Sequence, residues 1–163
     1  MIQAVIFDLD GTLVDLPIDY ETLFGECRQI LHVDNVRPWL DTVSKVDAET
    51  RQQVFKAWDK AEYACHEEIT AKEEGMKIYH EHAEKPKALV TLQGKEVVKG
   101  ILEAFKLRFD VIVTREDSLS RTEQLKIAAK KLGVETKNVL FVGNTDSDAA
   151  AAEKAGCHFT RIT

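Results

Sequence analysis

Four short runs of successive apolar residues, Ile2–Phe7, Ala88–Thr91, Phe109–Val113 and Val139–Val142, recur along the chain, and Cys157–Ile162 repeats the pattern more weakly. A strand with one wet face alternates apolar and polar residues. A strand that is apolar at consecutive positions is buried on both faces, as in a parallel sheet covered by helices. The stretches between these runs have helical spacing. Val97, Val98, Ile101, Leu102 and Phe105 recur at three- and four-residue steps, as do Leu125, Ala128, Ala129 and Leu132, after which Gly133 marks a stop. Strands alternating with helices of this length predict an α/β fold: a doubly wound, mainly parallel five-stranded sheet.

One segment interrupts the alternation. Between Asp19 and Glu84 no run reads as a strand. Leu23, Cys27, Ile30 and Leu31 form one apolar stripe, and Trp39, Leu40, Val43 and Val46 form a second, with Asn35 as its expected cap and Pro38 in its first turn. Asp47 is the expected cap of a long helix carrying Val54, Trp58, Ala61, Cys65 and Ile69 on one face and reaching toward Gly75. The expected organisation is therefore a helical insertion over 16–84, within a core made of 1–15 and 85–163.

Composition narrows the class without naming an activity. Hydrophobic residues are 44% of the chain, too many for a disordered one, and the formal charge is −6. A net-acidic chain without a Lys/Arg block is a poor binder of nucleic acid or anionic membrane. No apolar run approaches the roughly 18 residues of a membrane span. The N-terminal residues lack a basic segment and turn acidic at Asp8, which predicts a cytoplasmic protein. Cys27, Cys65 and Cys157 are widely spaced and odd in number, so they read as reduced thiols.

Chemistry concentrates where the buried runs end. Asp8-Leu9-Asp10-Gly11-Thr12 follows the first strand, at the sheet edge where α/β proteins bind ligands. Two carboxylates two residues apart on extended chain point the same way, and together they call for a cation. Gly11 permits a sharp turn. Thr91-Leu92-Gln93-Gly94 follows the second run, and Gly143-Asn144-Thr145-Asp146-Ser147-Asp148 follows the fourth. Taken singly, Asp8–Gly11 also reads as a polar strand end, Thr91 as a helix cap and Asp148 as a partner of a helix N-terminus. Taken together, they place carboxylates, a hydroxyl and turn amides on one edge of one sheet.

In these motifs the chain resembles the haloacid dehalogenase superfamily: DLDGT after the first strand, a helical cap inserted behind it, Thr after the second, and VGNTDSD where that family has GDxxxD. The resemblance implies a Mg²⁺-dependent phosphatase acting on a small phosphorylated metabolite. Asp8 would be the nucleophile that forms an aspartyl-phosphate, and Asp10 the acid and base. Thr91, with Gly11 and Leu92, would hold phosphoryl oxygens, and the metal ligands would be Asp8, Asp10, Asn144 and Asp148.

Two departures accompany the resemblance. The family's third-motif Lys is absent from Ser120-Arg121-Thr122-Glu123-Gln124, so Arg121 is the expected cation, with Lys126 as rival and Lys95 behind it. Asn144 stands where the family carries an Asp, which removes a charge from the metal site. Leu16, Tyr20 and Tyr79 are expected near the substrate, and the apolar stripes of the insertion are a surface that a homodimer could use. Two other readings stay open: phosphomutase-type transfer, and a catalytically weakened module that binds phospholigands or a partner.

Overall fold

The first apolar run forms β1 (Ala4–Phe7), buried at every position. In the computed structural model, which describes residues 1–163, β1 lies at the middle of a five-stranded sheet. β4 (Lys87–Val90) and β6 (Val139–Gly143) pair with it in parallel on either side. β5 (Val111–Val113) adds to β4 and β7 (His158–Arg161) to β6, also in parallel, giving the order β5-β4-β1-β6-β7. The α/β architecture expected from the apolar runs is the one found.

Alternate residues of these strands build one layer of core. Ala4, Ile6, Ala88, Val90, Val139 and Phe141 pack on Leu125, Ala128 and Ala129 of α6 (Arg121–Leu132) and on Ala151, Ala152 and Ala155 of α7 (Asp146–Ala155). Small alanines on the facing helices let backbones approach closely, and each buried Leu, Ile or Phe contributes about 1.5–3 kcal/mol. Phe7 lies edge-on to Tyr79 of α4 (Glu73–Glu81) and to Phe109, at centroid distances of 6.0 and 6.1 Å. α5 (Lys95–Phe105) buries Val97, Val98, Ile101 and Leu102.

The backbone divides into two compact units, Met1–Asp15 with Thr70–Thr163, and Leu16–Ile69. The second unit is helical: α1 (Tyr20–Leu31), α2 (Trp39–Ser44) and α3 (Ala48–Ala64). It buries Leu23, Cys27, Val43, Val54, Ala57 and Trp58, and a chain of rings, half-buried except for Trp58, runs Tyr20–Phe24–Trp39–Trp58–Phe55 with centroid spacings of 5.6, 4.9, 5.3 and 6.3 Å. Asp47 caps α3 as expected, accepting from the Thr50 amide at 2.7 Å.

The structure differs from the sequence reading at three places here. Asn35 does not cap α2. Its side chain accepts from the Arg37 amide in a tight turn, and Pro38 holds the cap position. The helix expected to run from Asp47 toward Gly75 ends at Ala64, a 3₁₀ turn follows over His66–Glu68, and β3 (Thr70–Ala71) pairs antiparallel with β2 (Val14–Asp15). The helical unit therefore ends at Ile69, not at residue 84.

α4 belongs to the sheet unit for a local reason. A Cβ on Gly75 would lie 1.7 Å from the Thr12 carbonyl oxygen, so only glycine lets the helix rest on that turn. Tyr79 adds a second anchor. Its hydroxyl donates to the Arg108 carbonyl at 3.2 Å and accepts from the Arg108 amide at 2.8 Å. Tyr79 thus tethers α4 to the segment before β5.

Candidate active site

Strand register decides what meets at the sheet edge. Phe7 pairs with Leu89 on one side and Val142 on the other, so Asp8, Thr91 and the Gly143–Asn144 step emerge together beyond the ladder. The Asp8 amide still donates to Val142 O at 3.0 Å. The chain then coils around one acceptor. The Leu9 carbonyl receives the amides of Thr12, Leu13 and Val14 at 3.2, 2.9 and 3.2 Å. Gly11 sits at φ +82°, and a Cβ there would fall 2.2 Å from Asn144 Nδ2, so both backbone conformation and space demand glycine.

Asp8 is 5% exposed. Burial pushes its carboxyl up from 3.8 to about 7; Arg121 pulls it back down, whereas Asp148 and Asp10 add to the rise. The side chain is caught between two donors. Oδ1 accepts from Arg121 Nη2 at 3.0 Å, and Oδ2 lies 3.4 Å from the Thr12 hydroxyl. Cys27 and Cys157, by contrast, are thiols that burial pushes up to about 11, which suits packing rather than nucleophilic attack.

Arg121 reaches the edge from the first turn of α6, whose N-cap is Ser120. One guanidinium meets two acids: Nη2 to Asp8, and Nε to Asp148 Oδ1 at 3.2 Å. Its Nη1 donates to Gln124 Oε1 at 2.8 Å. Lys126 lies elsewhere on the same helix, exposed and 3.9 Å from Glu123. The Lys95 amide faces the Glu116 carboxylate at 3.2 Å. The cation brought to Asp8 is Arg121.

Asp148 opens α7 in a capping box with Thr145. Its Oδ2 accepts the Asn144 and Thr145 amides at 3.1 and 3.3 Å, and its Oδ1 accepts from Arg121. Both oxygens are therefore committed to holding the loop and the guanidinium. No three acidic, histidine or cysteine side chains cluster closely enough to hold a metal ion. Even so, the donor set suits a hard cation on one observation. Asp8 Oδ2 and Asn144 Oδ1 both lie 3.4 Å from the single Thr12 hydroxyl, so a carboxylate and an amide oxygen already converge on one point.

Thr91 is brought to the same edge and is fully buried, but its hydroxyl donates to Gln93 Oε1 and accepts the Gln93 amide at 3.2 Å. The Leu92 carbonyl accepts from Arg115 Nη1 at 3.1 Å. Leu16 is a buried residue of the helical unit, and Tyr20 belongs to that unit's ring chain. Thr12, Gln93 and Gln124 stand inside the sequence motifs without a role of their own, and Arg115 stands outside them. Each is a buried polar group, and burial was the missing signal.

The haloacid dehalogenase-like hydrolase family model matches residues 5–162. The chain is 28% identical over 178 residues to the pyrophosphatase PpaX of Bacillus cereus, covering 95% of this chain and 80% of that protein. It is 30% identical over 182 residues to a phosphoglycolate phosphatase of Pseudomonas savastanoi, covering 94% of this chain and 66% of that one. A haloacid dehalogenase-like family hydrolase of Streptococcus pneumoniae shares the fold with a TM-score of 0.72 at 18% identity, over 99% of this chain and 85% of that one. With the family model spanning both the DLDGT turn and the closing strand, the chain belongs to the haloacid dehalogenase-like hydrolases.

Proposed function

We propose that the chain is a Mg²⁺-dependent phosphatase that hydrolyses a small phosphorylated metabolite through an aspartyl-phosphate on Asp8. The observation carrying this reading is the buried Asp8 carboxylate with Arg121 Nη2 at 3.0 Å on one oxygen, at the edge where three strand ends meet. The relatives named for pyrophosphatase and phosphoglycolate phosphatase activity support a phosphate-releasing reaction.

In the first step an Asp8 oxygen forms a bond to phosphorus as the ester P–O bond breaks, and Asp10 gives its proton to the departing alkoxide. In the second, Asp10 takes a proton from water as that water attacks the aspartyl-phosphate, releasing phosphate and restoring Asp8. Arg121 neutralises the transferring group, while the Thr91 hydroxyl is held by Gln93. Asp8, the Asp10 main-chain carbonyl and Asn144 would hold Mg²⁺, with Asp148 bracing the loop. The metal supplies positive charge that relieves repulsion between carboxylate and phosphate.

The test is a panel of phosphorylated metabolites, with pyrophosphate, phosphoglycolate and para-nitrophenyl phosphate, assayed for phosphate release with Mg²⁺. Asp8→Asn serves as the blank. Release that requires Asp8 supports the reading, and activity surviving Asp8→Asn overturns the nucleophile assignment.

A further inference from the structure

Gln124 is fully buried in α6, on the helix turn that begins with Arg121. A buried amide is costly unless all of its hydrogen-bonding groups are used, and here they are used in a specific direction. Nε2 donates to the Thr91 carbonyl at 2.8 Å and to the Ser118 carbonyl at 2.9 Å. Two carbonyls cannot donate, so the NH₂ end must face them and Oε1 must face the other way. There it accepts from Arg121 Nη1 at 2.8 Å. One side chain thus ties the end of β4, the loop before α6 and the guanidinium that meets Asp8.

We propose that Gln124 is a positioning residue that fixes the plane of the Arg121 guanidinium between Asp8 and Asp148. This rests on Arg121 being the cation at the transferring phosphoryl group. Nε and Nη2 each reach one carboxylate, and those carboxylates come from different elements, Asp8 after β1 and Asp148 in the first turn of α7, so two contacts leave the fork able to tilt. The third contact, on Nη1, defines the plane. Gln124 is itself immobilised by main-chain carbonyls, so it lends the rigidity of the sheet edge to a long and flexible side chain.

The test uses Gln124→Met, which keeps the length and volume but neither donates nor accepts. With para-nitrophenyl phosphate, kcat should fall about 10- to 100-fold, with KM changing far less. In an Arg121→Met background the same substitution should change kcat by less than about threefold, because the group it positions is gone. Equal losses in both backgrounds overturn the proposal.

A second readout needs no turnover. In ¹⁵N-labelled protein, the Arg121 Nε–H resonance should exchange with water at least about tenfold faster in Gln124→Met than in wild type, while circular dichroism reports an intact fold. Unchanged exchange overturns the proposal. If wild type releases no phosphate from any substrate, yet this exchange depends on Gln124, the phosphatase reading fails while the positioning contact stands.

Discussion

Arg121 Nη2 and Asp8 Oδ1 stand 3.0 Å apart across 113 positions of sequence, both largely withdrawn from solvent. The pair fastens the first turn of α6 to the end of β1, and Asp148 completes it as a triad of one base and two acids. Excess negative charge is thus built into the interior of the sheet edge, and most of the expected behaviour of the protein follows from it.

Arg121→Met leaves two buried carboxylates facing each other without their cation. Removing one partner of a buried pair costs about 3–5 kcal/mol, so urea unfolding at neutral pH should shift to markedly lower concentration. Arg121→Lys keeps the charge but cannot serve three acceptors from one plane, and should fall between the two. An unchanged midpoint in Arg121→Met would show that the pair contributes nothing.

Asp8 sets a pH dependence of opposite sign to that of an ordinary salt-bridged acid. Its folded carboxyl titrates near 7 and its unfolded one near 3.8, because burial outweighs Arg121. Between those values the folded protein keeps a proton that the unfolded chain has released, so stability falls as pH rises from 4 to 7. In metal-free protein, Asp8→Asn should abolish this slope and gain on wild type by up to about 4 kcal/mol across that interval. Parallel slopes in chemical denaturation at several pH values would contradict the burial argument.

Asn144→Asp is nearly isosteric and adds a charge beside Asp8 and Asp148. Metal-free, the variant should melt at lower temperature than wild type, because like charges are pressed together. In Mg²⁺ titrations by calorimetry it should bind about tenfold more tightly or better. Equal affinity in the two proteins would mean that the amide at this position does not limit metal binding.

Gly75→Ala tests the contact between α4 and the DLDGT turn. Its Cβ would lie 1.7 Å from Thr12 O and 2.7 Å from Thr12 C, which are main-chain atoms that cannot rotate away. The helix or the turn must move, at a cost of about 1–3 kcal/mol or more. Melting temperature should drop although alanine is the better helix former, and turnover should drop with it. Gly100→Ala, with nothing within 4 Å, is the matching control that should not destabilise.

The sheet was legible in the sequence because buried parallel strands leave unbroken apolar runs, and Asp8 was legible because it follows one of them; Arg121 came forward only as the substitute for the family's third-motif Lys. Other features carry no such mark. Thr70 and Ala71 form an exposed two-residue strand, too short to show a period, that pairs with Val14–Asp15. α4 reads as part of the helical segment because its sequence is helical; the approach of Gly75 to Thr12 and the tether of Tyr79 to Arg108 assign it to the sheet unit. Gln124 lies beside the stripe of Leu125, Ala128 and Ala129, where a polar residue looks like helix surface until its partners at Thr91 and Ser118 are known. Thr91 was found, but the capture of its hydroxyl by Gln93 depends on a turn conformation that spacing does not encode.

The short pairing of Val14 with Ala71 and Asp15 with Thr70 has a consequence for how such a chain can change. The helical unit leaves at Leu16 and returns at Ile69, so its two ends issue from a single rung, Asp15 paired with Thr70, whose Cα atoms stand about 5 Å apart. The ribbon is a socket. Closing a segment of twice the length across it costs only about 0.6 kcal/mol more in chain entropy. The length of what lies beyond that rung is therefore only weakly constrained by chain entropy.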